Sequence, residues 1–430
     1  MRLATNPLTN SGLPARSRTF AGLAALGAAL LCAQGAQAQM AGGLGAGVPG
    51  VPNGDQRIAI EGHADAAYDS NVTGGNASVA SQRRLTPEDE IYSAGTNITL
   101  MLPSSRQLLF FDGQAELQRY ARNSTLDANN YRLSVGAAER LGICAATLVG
   151  GYSHRETQIQ QVAVATIAKN IATQDSGNAD VTCGRRKIFV DISGGVSKLE
   201  NSAKTSGFVD SQTVSGNVAV GYHNTVLGDL SLLGVYSDIQ YGQDNLLLAL
   251  DPTLPTSVPD VRQYGVGLRY ARKVGLRLSG TASVFYNRIE GGFVHTQSDG
   301  LGVTASLAYR MTSRTQFTLD YNLGNNASPL STTSYVHSED LHLNATYNLT
   351  QRITFQAGVS HQREEYRGAD QIALLQLRES DSNQIDGSIN IKVGQKLTVI
   401  LNAQHLERTA DVRQFNYNAD RVSIGLSGKF

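Results

Sequence analysis

The feature that most constrains this chain is an alternation of apolar and polar residues that recurs from Ile58 to the last residue, Phe430. In the final run, Val422, Ile424, Leu426, Gly428 and Phe430 share one face, and Arg421, Ser423, Gly425, Ser427 and Lys429 share the other. Successive side chains of a β-strand point to opposite sides, so each run predicts a strand with one apolar and one polar face.

The runs are numerous and their connections alternate in length. We count 18 of them, beginning near residues 58, 90, 107, 129, 144, 177, 187, 211, 228, 261, 275, 299, 314, 338, 352, 381, 396 and 419. Tight turns are expected at 103–106, 142, 184–187, 225–228, 275, 312–315, 350–352 and 394–396, and long loops at 73–88, 158–175, 245–259, 324–335 and 368–379. Short periplasmic turns and long outward loops are typical of bacterial outer-membrane barrels.

Hydropathy separates a membrane barrel from the other membrane architecture. No apolar run of about 18 residues follows the N-terminal leader, which excludes a transmembrane helix and leaves a closed barrel as the way to span a bilayer. Residues 57–430 are therefore predicted to form an all-β, transmembrane, antiparallel up-and-down β-barrel of about 18 strands, with 16 to 18 as the range.

The N-terminal segment predicts export. Residues 1–38 carry three arginines and no acidic residue, then an apolar run, then Ala36-Gln37-Ala38, which is typical of a cleaved signal peptide. Cys32 follows Leu31, which is the wrong residue for a lipoprotein signal. Residues 39–56 are rich in glycine and proline and predict a flexible linker.

The charge balance argues against nucleic-acid binding. Removing the three leader arginines leaves 33 basic residues against 36 acidic ones, a mature charge of about −3 with no basic stripe suited to nucleic acid.

No pattern predicts an enzyme or a cofactor. The segment 45–50 matches a dinucleotide fingerprint by letters, but no strand precedes it and Pro49 stands where a helix should open. The nucleophile elbow, the zinc-protease motif and the phosphate loop are all absent from the sequence. The run Glu88-Asp89-Glu90 beside Asn71 could hold a divalent cation, although a solvated loop is the simpler interpretation. We expect no resident metal and no catalytic set.

Two cysteines remain after the leader. Cys144 begins one strand and Cys183 ends the next, so both are expected at the periplasmic end of one hairpin. An isolated pair in an oxidising periplasm predicts a disulfide before it predicts redox or metal chemistry.

Charges of both signs fall on the polar faces of the predicted strands. The candidate lumen-lining residues are Asp112, Glu116, Arg132, Asp191, Asp238, Arg269, Arg277, Asp320, Asp386 and Lys392. About 18 strands enclose an aqueous channel unless it is plugged, and a mixed lumen suits neutral or weakly charged polar solutes, including sugars. Each of these residues could instead merely solvate a structural barrel.

Aromatic residues mark the predicted membrane boundaries and the C-terminus. Tyr131, Tyr241, Tyr270 and Tyr286 near strand ends are candidates for interfacial girdles. A last strand that alternates and ends in Phe430 resembles the signal by which outer-membrane assembly machinery recognises its clients.

The opening hairpin carries a family resemblance. Ala67-Tyr68-Asp69-Ser70-Asn71-Val72, followed by Glu90-Ile91-Tyr92-Ser93-Ala94-Gly95, resembles the start of a β-barrel porin family found beside exopolysaccharide biosynthesis genes. The resemblance implies an outer-membrane conduit for a polysaccharide, with lipid, the barrel assembly machinery and periplasmic export proteins as partners. It carries over no catalytic residue. A general solute-diffusion porin, a barrel enzyme and an adhesin remain the alternatives.

Overall fold

The computed structural model describes residues 57–156, 169–185, 187–202, 210–242, 260–291, 298–327, 335–367 and 378–430. The predicted signal peptide and linker lie outside these residues, as do the predicted loop 245–259 and most of the loops predicted at 158–175, 324–335 and 368–379.

The alternating runs form eighteen strands. They are β1 (Arg57–Asp69), β2 (Asp89–Pro103), β3 (Gln107–Tyr120), β4 (Ala128–Leu141), β5 (Cys144–Glu156), β6 (Ile171–Arg185), β7 (Ile188–Asn201), β8 (Ser211–Asn224), β9 (Gly228–Tyr241), β10 (Val261–Val274), β11 (Leu278–Gly291), β12 (Ser298–Arg310), β13 (Thr315–Ala327), β14 (Tyr335–Asn348), β15 (Ile353–Arg367), β16 (Glu379–Val393), β17 (Leu397–Ala410) and β18 (Tyr417–Lys429). The predicted starts agree within three residues, except for β6, which begins at Ile171 rather than near residue 177.

The sheet closes on itself. Each strand pairs antiparallel with its sequence neighbours, and β1 pairs with both β2 and β18. Summed around all the pairs, the register offsets give a shear of about 22 residues, hence a strand tilt of about 40° and a backbone radius of about 18 Å. The predicted antiparallel barrel of 18 strands is confirmed.

The barrel has two unlike ends. Turns of two to four residues join β2 to β3, β4 to β5 and so on to β17, and we refer to this as the short-turn end. Every connection at the opposite end, beginning with that from β1 to β2, is longer, and we refer to that end as the long-loop end. The predicted alternation of tight and long connections is therefore present.

The outer face of the wall is apolar. In β9, for example, Leu230, Leu232 and Tyr236 point outward and are largely exposed, whereas Ser231 and Leu233 point inward and are buried. Within the described residues, no helix is both long enough and apolar enough to cross a bilayer.

Tyrosines concentrate on the outer face near both ends of the barrel. Exposed outer tyrosines near the long-loop end are Tyr68, Tyr92, Tyr131, Tyr152, Tyr236, Tyr264 and Tyr286, and near the short-turn end Tyr222, Tyr270, Tyr309 and Tyr347. Tyr241 does not belong to a girdle, because its position in β9 has the inward parity of Ser231.

The C-terminal residue continues the closing seam. The Phe430 amide donates a hydrogen bond to the Ile60 carbonyl at 2.9 Å, and its ring lies over Gly62 and Gly428 on the outer face. The ring is 78% exposed. Its role as an assembly signal stays a prediction.

The first long loop contains a helix that the sequence analysis left as loop. Helix α1 spans Ala77–Arg83, and the Asn76 side chain caps it by accepting hydrogen bonds from the amides of Ser78 and Val79. Val79 is fully buried, so the helix is packed rather than solvated.

Candidate functional site

The inner face of the barrel is the candidate site, and the strand register places each predicted lumen residue. Eight of the ten lie at inward positions within strands: Asp112, Glu116, Arg132, Asp191, Arg269, Asp320, Asp386 and Lys392. Their part in transport stays a prediction.

Two of the predicted lumen residues lie elsewhere. Asp238 has the outward parity of Tyr236 and lies 3.5 Å from Arg262 on the outer face at the long-loop end. Arg277 lies in the turn between β10 and β11, where Gly275 has a positive φ of 61°. The lumen prediction for Asp238 is wrong, because strand parity directs this residue outward and its charge is matched there by Arg262.

One inner row of residues stands out because every member is an amide or a hydroxyl. Across β13 to β18 the paired positions are Gln316, Thr346, Gln356, Ser388, Asn402 and Ser423. We call this set the amide–hydroxyl row. Amides and hydroxyls alternate from strand to strand without a charge, and the row was not recognised in the sequence because its members lie far apart along the chain.

Neighbours within the row bond to each other. The Ser388 hydroxyl donates to Gln356 Oε1 at 3.2 Å, and Asn402 Nδ2 donates to Ser423 Oγ at 3.2 Å. These bonds orient the side chains along the wall and leave further donor and acceptor capacity for a solute, because an amide offers two donors and two lone pairs.

The row begins at the short-turn end and rises toward mid-barrel. Gln316 is the second residue of β13, whereas Asn402 and Ser423 lie near the middles of their strands. The row therefore forms a sloping, uncharged polar track on one side of the lumen.

Aromatic rings on the inner face lie flat against the wall. Phe285 on β11 faces Gly267 on β10 and Gly302 on β12, and a Cβ added at either glycine would come within 2.5 Å of the Phe285 side chain. The two glycines leave room for the ring against the backbone, so Phe285 narrows the lumen little.

The long-loop mouth is partly covered from inside. The single turn Arg413–Phe415 between β17 and β18 places Phe415 against Val336 of β14 and Tyr366 of β15, both of which point inward. The Asn76 amide at the start of α1 donates to the Gln414 carbonyl at 3.0 Å. The first and last loops thus meet over one side of the mouth.

A second apolar cluster holds the first loop inward. Val72 and Leu85 of that loop pack with Leu126 of the next loop against the inward-facing Ala67 and Ile91. Burial lowers the pKa of Arg83 in α1 to about 10, and its guanidinium donates to the Thr73 carbonyl. The loop is therefore an ordered part of the mouth.

Within the acidic run at residues 88–90, Asp89 is a buried anchor, whereas Glu88 and Glu90 are exposed. Asp89 is 1% exposed and accepts hydrogen bonds from the Arg122 amide, the Asn123 amide and Asn123 Nδ2, each at 2.8–2.9 Å. Among the described residues, no group of three or more His, Cys, Asp or Glu side chains could hold a metal ion.

Glu88 joins the first two long loops at the surface. Arg122 donates to its carboxylate at 2.6 Å and the Tyr68 hydroxyl at 3.0 Å, and these hydrogen bonds hold the pKa of Glu88 below its ordinary value. The same contact raises the pKa of Arg122.

Cys144 and Cys183 occupy directly paired positions of β5 and β6 at the short-turn end. The structure joins them by a disulfide.

A closed barrel with an apolar exterior, outer tyrosines near both ends and a polar inner wall is the fold of outer-membrane-type porins. The sequence matches the family described as "Putative beta-barrel porin 2" over residues 61–430, and the chain belongs to that family.

Solved barrels resemble this chain at low sequence identity. It is similar to a BenF-like porin from Pseudomonas fluorescens Pf-5 (10% identity, TM-score 0.49, covering 87% of this chain and 99% of that one). It is also similar to OccK2 (OpdF) from Pseudomonas aeruginosa (11% identity, TM-score 0.48, covering 87% of this chain and 98% of that one). The FrpB iron transporter from Neisseria meningitidis gives 9% identity and a TM-score of 0.45, with 83% of this chain covered and only 62% of FrpB spanned. No curated protein matches the sequence significantly.

Proposed function

We propose that this protein is a passive, non-catalytic pore of the outer membrane that conducts hydroxylated polar solutes, and that its cargo is an exopolysaccharide leaving the cell. The observation that carries the carbohydrate assignment is the amide–hydroxyl row. The export direction follows from the family resemblance of the opening hairpin.

The chemistry of the row suits sugars better than ions. A sugar hydroxyl is both donor and acceptor, and so is every side chain in the row. A row without charge gives no strong preference for cations or anions, and pore selectivity follows from the groups that line the path. Several weak hydrogen bonds along the amide–hydroxyl row would allow a moving polysaccharide to exchange one contact for the next.

The proposal includes partners but no cofactor and no covalent step. The apolar outer face would contact outer-membrane lipid, and the barrel assembly machinery would insert the chain through its last strand. Polysaccharide and periplasmic export proteins are the remaining proposed partners.

A general solute-diffusion porin is the second candidate, and one observation favours it. The loops that pack inward around Val72, Leu85 and Phe415 narrow the long-loop mouth, as expected for a selective pore more than for a wide conduit.

The experiment uses the mature chain in a planar bilayer with neutral dextran oligomers. Asn402→Leu removes the donor to Ser423, and Asn217→Leu is the matched control, because Asn217 Nδ2 donates to Ser193 Oγ at 3.3 Å on a distant part of the inner wall. Loss of about 1 kcal/mol of hydrogen bonding should shorten dextran residence about fivefold in the Asn402 variant.

The control sharpens the result. The Asn217 variant should keep the residence time of the unmodified protein. If the dextran residence time were shortened equally in both variants, the row would not be the carbohydrate path. Passage of small solutes without any dextran blockade would favour the general porin.

A further inference from the structure

The short-turn end carries a strong excess of basic residues. Six of the eight tight turns contain a lysine or arginine, and no tight turn contains an aspartate or glutamate. The described basic turn residues are Arg106, Lys187, Arg277, Arg314, Arg352 and Lys396.

Further basic residues point into the lumen beside these turns. Within the last two residues of their strands, Arg140, Lys273, Arg310, Lys392 and Lys429 all occupy inward positions. We call these five and the six turn residues the basic collar. Carboxylates near the collar include Asp229, which pairs with His223, and Glu61, which lies 3.7 Å from Lys429.

A recess opens in the inner wall within the collar. Its volume is about 360 Å³, and β8 to β12 form it. Its lining includes the hydroxyls of Ser279, Thr281 and Ser306, the ammonium of Lys273, and the paired side chains of His223 and Asp229. The recess therefore offers several hydroxyls and one lysine to a sugar ring, and its one carboxylate, Asp229, is paired with His223.

The collar leads directly to the amide–hydroxyl row. Arg310 of the collar is paired across strands with Gln316, the first member of the row, and Ser306 of the recess lies on the same strand as Arg310. Recess, collar and row are thus neighbours on the inner wall, from the rim to mid-barrel.

We infer that the basic collar receives an acidic polysaccharide chain, with uronate carboxylates on its lysines and arginines and sugar hydroxyls in the recess. Clustered charge at a low-dielectric opening concentrates counter-ions and speeds their capture. The inward-pointing collar residues face the lumen rather than lipid, and the hydroxyl-lined recess favours a sugar over a peptide. The inference rests on the proposed function, because it assigns the entrance of that same pore.

The experiment compares linear polygalacturonate with neutral dextran oligomers of equal length, on mature protein in planar bilayers. Each polymer is added to either side, and orientation is read from a tag in the β9–β10 loop. At 50 mM salt, polygalacturonate at the short-turn side should block at a concentration at least tenfold lower than dextran does. The advantage should shrink as salt screens the charges.

Two triple variants that each remove three positive charges test where the preference for polygalacturonate arises. Lys273→Gln, Arg310→Gln and Lys392→Gln together should weaken polygalacturonate block at least tenfold and dextran block far less, because glutamine keeps hydrogen-bonding groups but removes the charge. Arg119→Gln, Lys198→Gln and Arg262→Gln together remove three charges from the outer face at the long-loop end and should change neither.

The outcomes separate this inference from the proposed function. Dextran block without any preference for polygalacturonate would overturn the collar alone. An open channel that neither polymer blocks would overturn the carbohydrate function itself. Polyglutamate binding as tightly as polygalacturonate would overturn the saccharide assignment and favour an acidic protein partner.

Discussion

Asp89 shows how one buried carboxylate orders a loop at the mouth of a barrel. Its oxygens accept hydrogen bonds from three donors of the segment Arg122–Asn123, and Asn123 Nδ2 also donates to the Thr86 carbonyl. A buried donor that loses its partner costs about 1–3 kcal/mol.

We therefore expect Asp89→Ala to loosen the first two long loops. Hydrogen exchange at the Arg122 and Asn123 amides should speed up by at least tenfold, while strand amides far from the mouth stay protected. Unchanged exchange at these two amides would contradict the anchoring role.

Glu88 predicts a pH dependence at the same mouth. Its pKa is lowered in the folded state, so its contribution to loop docking is present above its ordinary pKa and is lost as the pH falls through the lower folded value. The amides of Leu85, Thr86 and Glu88 should lose protection against exchange, after correction for intrinsic rates, once the pH falls below about 4.

Glu88→Gln is the matched control for this effect. It cannot titrate, so its loop should show the same exchange protection, corrected for intrinsic rates, across that pH range. A pH profile identical to that of the unmodified protein would place the titration elsewhere.

At the scale of elements, the disulfide ties β5 to β6 across a long connection. The bond closes a loop between residues 39 apart in sequence. Loop-closure arithmetic for such a length predicts a stabilisation of about 4 kcal/mol at most, with 2–4 kcal/mol typical.

Reduction should therefore lower the free energy of unfolding by about 2–4 kcal/mol without opening the barrel at neutral pH. Urea unfolding of detergent-solubilised protein with and without reductant measures this change, and Cys144→Ala with Cys183→Ala provides the form that reductant cannot alter. A reductant effect that persists in that double variant would assign it to another cause.

The strands were largely predictable because apolar and polar residues alternate along each of them in the sequence, and the exceptions have physical reasons. β6 begins six residues before its predicted start. Asp175 has an outward position that a strand would normally fill with an apolar residue, but it lies near the long-loop end, where an outward charge is tolerated. Helix α1 was missed although Asn76 is a standard N-cap residue, because seven residues are too few to show a helical period.

The candidate site was less predictable than the strands. Parity placed Asp320 and Asp386 on the inner face, but the amide–hydroxyl row depends on cross-strand register, which joins Gln316 to Ser423 only after every pairing is known. Inward folding of the first and last loops likewise depends on contacts between the two ends of the chain.

At the scale of the whole molecule, the two ends of the barrel differ in charge and in how far loops cover the opening. The short-turn end has basic turns, whereas the long-loop end is partly covered by packed loops with charges of both signs. A radius of about 18 Å leaves room for an aqueous lumen between them.

The most direct test of an open polar pore is single-channel conductance of the purified, refolded mature chain in a planar bilayer. Stepwise openings that neutral sugar oligomers partly block are predicted. Complete silence from protein shown to be folded, with the heat-modifiable migration of an intact barrel, would contradict the central claim.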